Sequence, residues 1–365
     1  MLRIYTSLLK HLNKRTIFPL ISVAAIVLLT VIYLLLRPGG LIRNIGPGRV
    51  KADSGVQLVM GTFARVVAIT DDVATGNQCV ESALDEIHNV DDLMSDYKED
   101  SEITRINRNA FARPVKVGPA TFEVILRSVE FSRLTDGAFD VTVGPFVKLF
   151  RTARDTGKAP TPEQIADAKA KVGYEKLVLN NEEKTVRFTV EGMSLDLGGI
   201  AKGYAVDKAI EAVQKLGALG AMVDLGGNIR CFGTPPQGRD KWLVGLQNPN
   251  TGNLAASGLL LKLHLSHESV ATSGDYQQFA IIDGKKQSHI IDRRTGKGAE
   301  GLSSVTIIAP NATDADALST AVTVLGPRKG LELIESMPDT EAILVSPAPE
   351  YTITKSSGAD KYIKE

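Results

Sequence analysis

The chain has 365 residues, 43% apolar and 23% charged, an ordinary globular composition with enough apolar side chains for a substantial core. Lys plus Arg and Asp plus Glu number 42 each, so no polybasic character points to nucleic acid, and a phosphate-bearing ligand would have to be held locally. Two cysteines, Cys79 and Cys231, without a CxxC or a Cys/His cluster, argue against a zinc site and a disulfide framework.

Residues 17–36 read IFPLISVAAIVLLTVIYLLL without a charge, about the length a helix needs to cross a bilayer. Arg3, Lys10, Lys14 and Arg15 precede the run, and positive charge stays on the cytoplasmic side. We therefore expect a cytoplasmic basic segment at 1–16 and a single anchor at 17–36 in the inner (plasma) membrane. The rest of the chain would then be extracytoplasmic, in the periplasm. A cleaved signal peptide would have a shorter apolar region ending in small residues, whereas this one ends in Tyr33-Leu34-Leu35-Leu36 and Arg37. Residues 37–54 are rich in Gly, Pro and basic residues and read as a linker. The main domain is expected at 55–350 and a solvated tail at 351–365.

Val56 to Thr70 alternates as a pair of strands. From Val80, apolar residues recur at Ala83, Leu84, Ile87, Val90 and Met94 as a helical stripe. Thr161, Pro162 and Gln164 start another helix as N-cap, first position and third position. A third runs from about Ile200 to Leu216, with Gly217 as its stop. Short β-rich runs occur at Leu177–Leu179, Val186–Val190, Ala221–Leu225, Trp242–Leu246, Leu259–Leu265, Val305–Ile308 and Ala342–Val345. Helices and strands mix without a βαβ rhythm, which predicts an α+β fold with substantial antiparallel sheet. Cys79 in the first helix and Cys231 after a strand read as buried thiols, with a bridge between them left open.

Four segments carry more Gly, Asp and hydroxyl residues than folding asks for. They are Gly137–Pro145, Asp196–Tyr204, Asp224–Asn228, and the set Thr272–Tyr276, Ser288–Asp292 and Asp316–Thr320. The Gly198-Gly199 turn into a helix could offer amides and a positive dipole end to an anion, with Lys202 one turn in, or be purely structural. The Asp224–Asn228 turn is open between a plain turn and a ligand contact. Asp316 and Thr320, four apart, share a helix face. Their carboxylate and hydroxyl suit a hard, oxygen-seeking cation such as Mg²⁺. Helix capping by Asp314 and Asp316 is the alternative.

Taken in order, these segments resemble the ApbE family, the FAD:protein FMN transferases. The resemblance rests on Met60-Gly61-Thr62, Met94–Tyr97 with Ser101–Ile103 and Asn107, GAFDVTVGP at 137–145, and DLGGIAKGYAVD at 196–207. It continues through VDLGGNIR at 223–230, ATSGDY at 271–276, SHIID at 288–292, RTG at 294–296 and DALSTAVTVLG at 316–326. It implies a T-fold-like α+β domain with FAD as donor, Mg²⁺ as cofactor, and a Thr or Ser of a partner protein, expected to be a membrane redox subunit, as acceptor. It places the flavin nucleotide at Met60, Tyr97, Ala138, Phe139, Asp140, Lys202 and Ile290. The metal falls at the side chains of Asp316 and Thr320 with the backbone oxygen of Gly199, and His289 matches a histidine implicated in activity. Arg293 stands where the family commonly has proline. An FAD pyrophosphatase or a non-catalytic flavin-binding protein would carry the same motifs.

A reporter fused after Glu365 should be active only outside the cytoplasm; a cytoplasmic signal at that fusion point would sink the expected topology.

Overall fold

The computed structural model describes residues 43–46, 48–236, 239–249, 258–274, 279–347 and 351–364. The expected anchor at 17–36 lies outside them. Among the described residues no helix is long and apolar enough to cross a membrane.

Alternating side chains build one large sheet. Its strands are β1 (Arg43–Gly46), β2 (Arg49–Asp53), β3 (Gln57–Val59), β4 (Thr62–Thr70) and β5 (Gly220–Leu225). They continue with β6 (Asn228–Gly233), β7 (Ser269–Gly274), β8 (Ser304–Ala309), β9 (Glu341–Val345) and β10 (Ile353–Lys355). The order is β1-β2-β4-β5-β6-β7-β8-β9-β10, with β3 beside β2 on the same edge of β4. Every ladder is antiparallel, as the mixed pattern predicts. Most neighbours in sequence are neighbours in space, with helices inserted between β4 and β5 and between β8 and β9.

The helices are α1 (Val73–Met94), α2 (Glu102–Asn109), α3 (Pro119–Leu134), α4 (Gly144–Thr156), α5 (Pro162–Lys171), α6 (Ala201–Lys215) and α7 (Ala312–Glu335). The α5 start has the predicted capping box, with Thr161 accepting from Gln164 and Gln164 reaching back. Val66, Ala68, Val223 and Leu225 face one way, into a core covered by α1, α6 and α7. Val67, Ile69, Ile229 and Val270 face the other way. There a small sheet of Trp242–Gln247, Leu259–Leu265 and Ile363–Lys364 covers them with Trp242, Val244, Leu263 and Leu265. Cys79 lies in the first core and Cys231 in the second, so the sheet separates them and both are free, buried thiols. Burial pushes Cys79 up to about 11 and raises Cys231 as well.

Two expected boundaries are corrected. Part of the 37–54 linker is β1 and β2, where Val50 and Ala52 are buried. The 351–365 tail supplies β10 and a strand of the small sheet, with Ala359 and Tyr362 in the second core. These stretches are too short to show apolar periodicity, and sheet edges define them instead.

Helices α6 and α7 cross closely, because a Cβ on Gly203 would stand 2.2 Å from the Ala312 carbonyl oxygen. Asp207 of α6 accepts from the Ala312 amide at 2.9 Å, the Thr313 amide at 2.8 Å and the Thr313 hydroxyl at 2.6 Å. It also takes Arg230 Nη1 at 2.6 Å. One carboxylate thus satisfies the first donors of α7 from a different helix. Asp207→Ala should therefore lower the unfolding free energy by about 2–4 kcal/mol in denaturant titration, and Asp207→Asn by less, since one amide oxygen still accepts.

Candidate functional site

Along α7, Asp316, Thr320 and Val324 fall one turn apart on one face. Each meets a different expected site segment. At Asp316, Oδ2 accepts from the Gly203 amide at 3.0 Å, and Oδ1 lies 3.6 Å from Lys202 Nζ. At Thr320, a Cβ on Gly199 would stand 3.0 Å from the hydroxyl and 3.3 Å from the Phe139 ring. At Val324, Ala138 and Ile290 complete a small apolar cluster. The stripe ends at Gly326, whose φ of 77° breaks the helix, and Arg294 Nη2 donates to the Val324 carbonyl at 3.2 Å. The structure thus brings Ala138, Phe139, Gly199, Lys202, Ile290, Asp316 and Thr320 onto one ladder.

Capping of its own helix does not account for Asp316. Asn311 caps α7 by accepting from the Asp314 amide, and Asp314 itself binds Arg127 at 3.0 and 2.8 Å. Asp316 sits in the second turn, 4% exposed, and turns its carboxylate away from its own helix. Burial raises its affinity for a proton, opposed by the Lys202 charge and the Gly203 amide. Lys202 also donates to the Gly198 carbonyl at 2.7 Å. The oxygens of this turn therefore already draw in a cation.

Of the two readings of the Gly198-Gly199 turn, that arrangement favours the structural one. The Gly198 amide is taken by Asp196 Oδ1 at 2.8 Å, the Ile200 and Ala201 amides by the Leu197 carbonyl, and the Gly203 amide by Asp316. Two carboxylates and a chain carbonyl hold these amides, so the turn is dressed for positive charge. Among the described residues no group of three or more His, Cys, Asp or Glu side chains could hold a metal. The Asp316 carboxylate and the Thr320 hydroxyl, one turn apart on α7, are oxygen donors of the kind Mg²⁺ takes.

Asp140 is buried and saturated. Oδ1 accepts from the Thr142 amide at 2.8 Å and its hydroxyl at 2.6 Å, and Oδ2 from the Tyr174 amide at 3.0 Å and Arg293 Nη1 at 2.9 Å. Burial raises its pKa, and the Thr142 hydrogen bonds and the Arg293 charge pull against that rise. Arg293 is thus the partner of a buried carboxylate, and a Cβ on Gly137 would meet its guanidinium at 2.2 Å. Phe139 is buried, edge-on to Phe131 with centroids 6.1 Å apart, so it packs the core and presents no open ring face.

Tyr97 is exposed, with Arg151 stacked 4.4 Å above its ring. Arg151 binds Asp96 at 2.6 Å and approaches Asp196 at 3.4 Å, which links Tyr97 to the Gly198 turn. Burial, then the Asp96 charge, raises Asp196. Sequence reasoning gave Arg151, Asp96 and Asp196 no role. Arg151 lies in α4 outside every motif, and only the fold carries it to the turn. Met60 and Gly61 close the β3–β4 hairpin with φ of 51° and 69°, the two-residue turn with both residues left-handed. A non-glycine there is strained. Gly226-Gly227 closes β5–β6 the same way, braced by Asp224 Oδ1 on the Gly227 amide. His289 is half-buried in the bend after Lys285–Ser288, next to Ile290 of the ladder. Asp275 and Tyr276 of the ATSGDY segment lie outside the described residues.

A model of the ApbE family matches residues 60–344. The Haemophilus influenzae protein named FAD:protein FMN transferase is 35% identical over 315 residues, spanning 84% of this chain and 90% of its own. The Treponema pallidum protein of the same name is 33% identical over 320 residues, spanning 83% and 86%. A crystal structure of an ApbE protein from Thermotoga maritima aligns with a TM-score of 0.77 at 30% identity, covering 86% of this chain and 100% of that one. Flavin transferase ApbE from Vibrio cholerae aligns with a TM-score of 0.74 at 28% identity, covering 86% and 99%.

Arg293→Ala should destabilise the fold by about 2–4 kcal/mol, because it leaves the Asp140 carboxylate buried without its cation. Combining it with Asp140→Asn in a double-mutant cycle should cost less than the sum; strict additivity in denaturant titrations would show that the pair is not coupled.

Proposed function

The chain belongs to the ApbE family, and from that premise we propose that it moves the FMN half of FAD onto a Thr or Ser hydroxyl of a partner protein. In this reading the acceptor oxygen bonds to the FMN phosphorus, the pyrophosphate P–O bond breaks, and AMP leaves. The reaction depends on Mg²⁺ and takes place on the extracytoplasmic side of the membrane, where the 17–36 anchor would hold the domain. A membrane redox subunit is the acceptor this location suits.

The observation that carries the reading is Asp316. One oxygen of this buried carboxylate takes the Gly203 amide and the other faces the Lys202 ammonium, and it is this second oxygen, beside Thr320 and Gly199, that a bound cation would share. Asp316, Thr320 and the Gly199 carbonyl would hold the ion. When bound, Mg²⁺ neutralises pyrophosphate charge and polarises the phosphorus under attack. Lys202 adds an ammonium beside the same oxygens. Tyr97 offers an exposed ring for a planar ring system, and Ala138 with Ile290 offers an apolar wall. His289, adjoining Ile290, is our choice to accept the proton of the acceptor hydroxyl. Phosphoryl-type transfer asks mainly for positioning and charge neutralisation, which these groups supply.

The full chain, incubated with FAD, Mg²⁺ and candidate membrane redox subunits, should leave flavin fluorescence on the acceptor in a denaturing gel. Release of FMN and AMP without protein-bound flavin would instead make it a pyrophosphatase, and neither product would make it a flavin binder. Asp316→Asn retains an oxygen for the Gly203 amide, so thermal stability should hold while transfer falls at least 100-fold. An active Asp316→Asn enzyme with unchanged Mg²⁺ dependence would remove the metal site.

A further inference from the structure

The second face of the large sheet is covered at one end and bare at the other. Val67 and Ile69 lie under the small sheet, but Phe63 and its cross-strand partner Leu58, on the same face, do not. Val56, Leu58 and Phe63 are 64%, 74% and 62% exposed. Apolar side chains standing together in water at a strand edge mark an interaction surface.

The surface beside them is basic. Lys51, Arg65, Arg239 and Trp242 line a cleft of about 110 Å³ on this face. Asp53 neutralises part of it, binding Lys51 at 2.8 Å and Arg65 at 2.6 Å. The outer face of the small sheet adds Lys262 directly opposite Lys364, with His264 on the same side near Lys364, Lys241 and Arg239. Like charges facing each other on a ladder are destabilising by themselves. Among the described residues none of Arg239, Lys241, Lys262 and Lys364 makes an ion pair, though Asp240 and Glu365 adjoin them in the sequence.

The entry of the chain adds a third observation. Ile45 of β1 packs into the core of this same face. Only residues 37–42 separate β1 from the apolar run ending at Leu36, a tether of at most roughly 25 Å. We propose that this face rests on an anionic bilayer surface, with Val56, Leu58 and Phe63 at the headgroup boundary and the basic sheet over acidic lipid headgroups. Basic charge bordering exposed apolar side chains is the pattern of interfacial membrane binding. The proposal rests on the anchored reading above for its tether, though not for the chemistry of the face. It would fix which way the domain faces a membrane-embedded acceptor.

The test uses the full chain carrying Leu58→Cys or, as a control, Val178→Cys, each labelled with an environment-sensitive fluorophore. Both native thiols are fully buried, so the label goes to the new one. Val178 is exposed in Leu177–Asn180, whose neighbours Leu177 and Leu179 pack against the first core. Labelled chains are mixed with phosphatidylcholine vesicles, with or without phosphatidylglycerol, containing lipid-bound quencher. With phosphatidylglycerol, quenching at Leu58 should exceed that at Val178 several-fold. Lys262→Glu with Lys364→Glu should bring the two sites level. Equal quenching at both sites, or none at Leu58, overturns the proposal. Energy transfer between labelled copies without lipid quenching assigns the face to a second copy and overturns it too. Flotation with neutral vesicles reports the anchor separately. A chain that stays behind there fails the anchored reading, while quenching with anionic vesicles still decides the face.

Discussion

Helices α6 and α7 cap each other across their crossing, and the candidate site hangs on that exchange. Asp207 of α6 serves the first amides of α7, and Asp316 of α7 serves the Gly203 amide of α6. The exchange needs the close approach that only glycine at 203 permits, since a Cβ there would also come within 2.8 Å of Asp316 Cβ. Each carboxylate is buried, so each is held by fixed donors and neither can swing to solvent. The consequence for chemistry is direct. Only one oxygen of Asp316 is used by an amide, and the other is left facing the Lys202 ammonium.

Several carboxylates in the matched motifs share this condition. Asp140, Asp196, Asp224 and Asp316 are all pushed toward protonation by burial and restrained by specific donors. Their donors differ, and so do their roles. Asp140 is fully occupied by Thr142, Tyr174 and Arg293 and serves to fix a loop. Asp224 braces a hairpin tip. Asp196 and Asp316 meet at the start of α6, where a helix would ordinarily attract an anion. Together they oppose that preference.

Much of this was legible in the sequence where one face of one element carries the signal. The 80–94 stripe, the Thr161 capping box, the Gly217 stop and the Asp316/Thr320 pair needed only helical spacing. The antiparallel α+β class followed from the spacing of short strands. What failed depended on partners far along the chain. β1, β2 and the closing strands are defined by the edges they complete, so 37–54 and 351–365 looked like linker and tail. Arg151 reaches Asp196 from 45 residues away, with no local pattern to announce it. A motif shows Phe139 by residue type alone, whereas its burial is decided by Phe131 and the Gly199 turn.

Arg293 shows how a departure from a family pattern can be absorbed. A proline there would fix the backbone through its ring. The arginine fixes it through its side chain, which reaches Asp140, lies against the peptide at Gly137 and stacks 5.2 Å over Tyr174. Three segments, at 137–140, 174–175 and 292–294, are thereby tied by one guanidinium. The SHIID loop that carries His289 and Ile290 is held from this end by Arg293 and from α7 by Arg294 on the Val324 carbonyl. A rigid loop suits transfer chemistry, in which a misplacement of about 1 Å costs roughly a hundredfold in rate. The added cation does not add free charge to the site, because Asp140 and Glu175 already meet it. The substitution therefore exchanges backbone stiffness for a buried ion pair and leaves the ladder of Asp316, Thr320 and Val324 untouched.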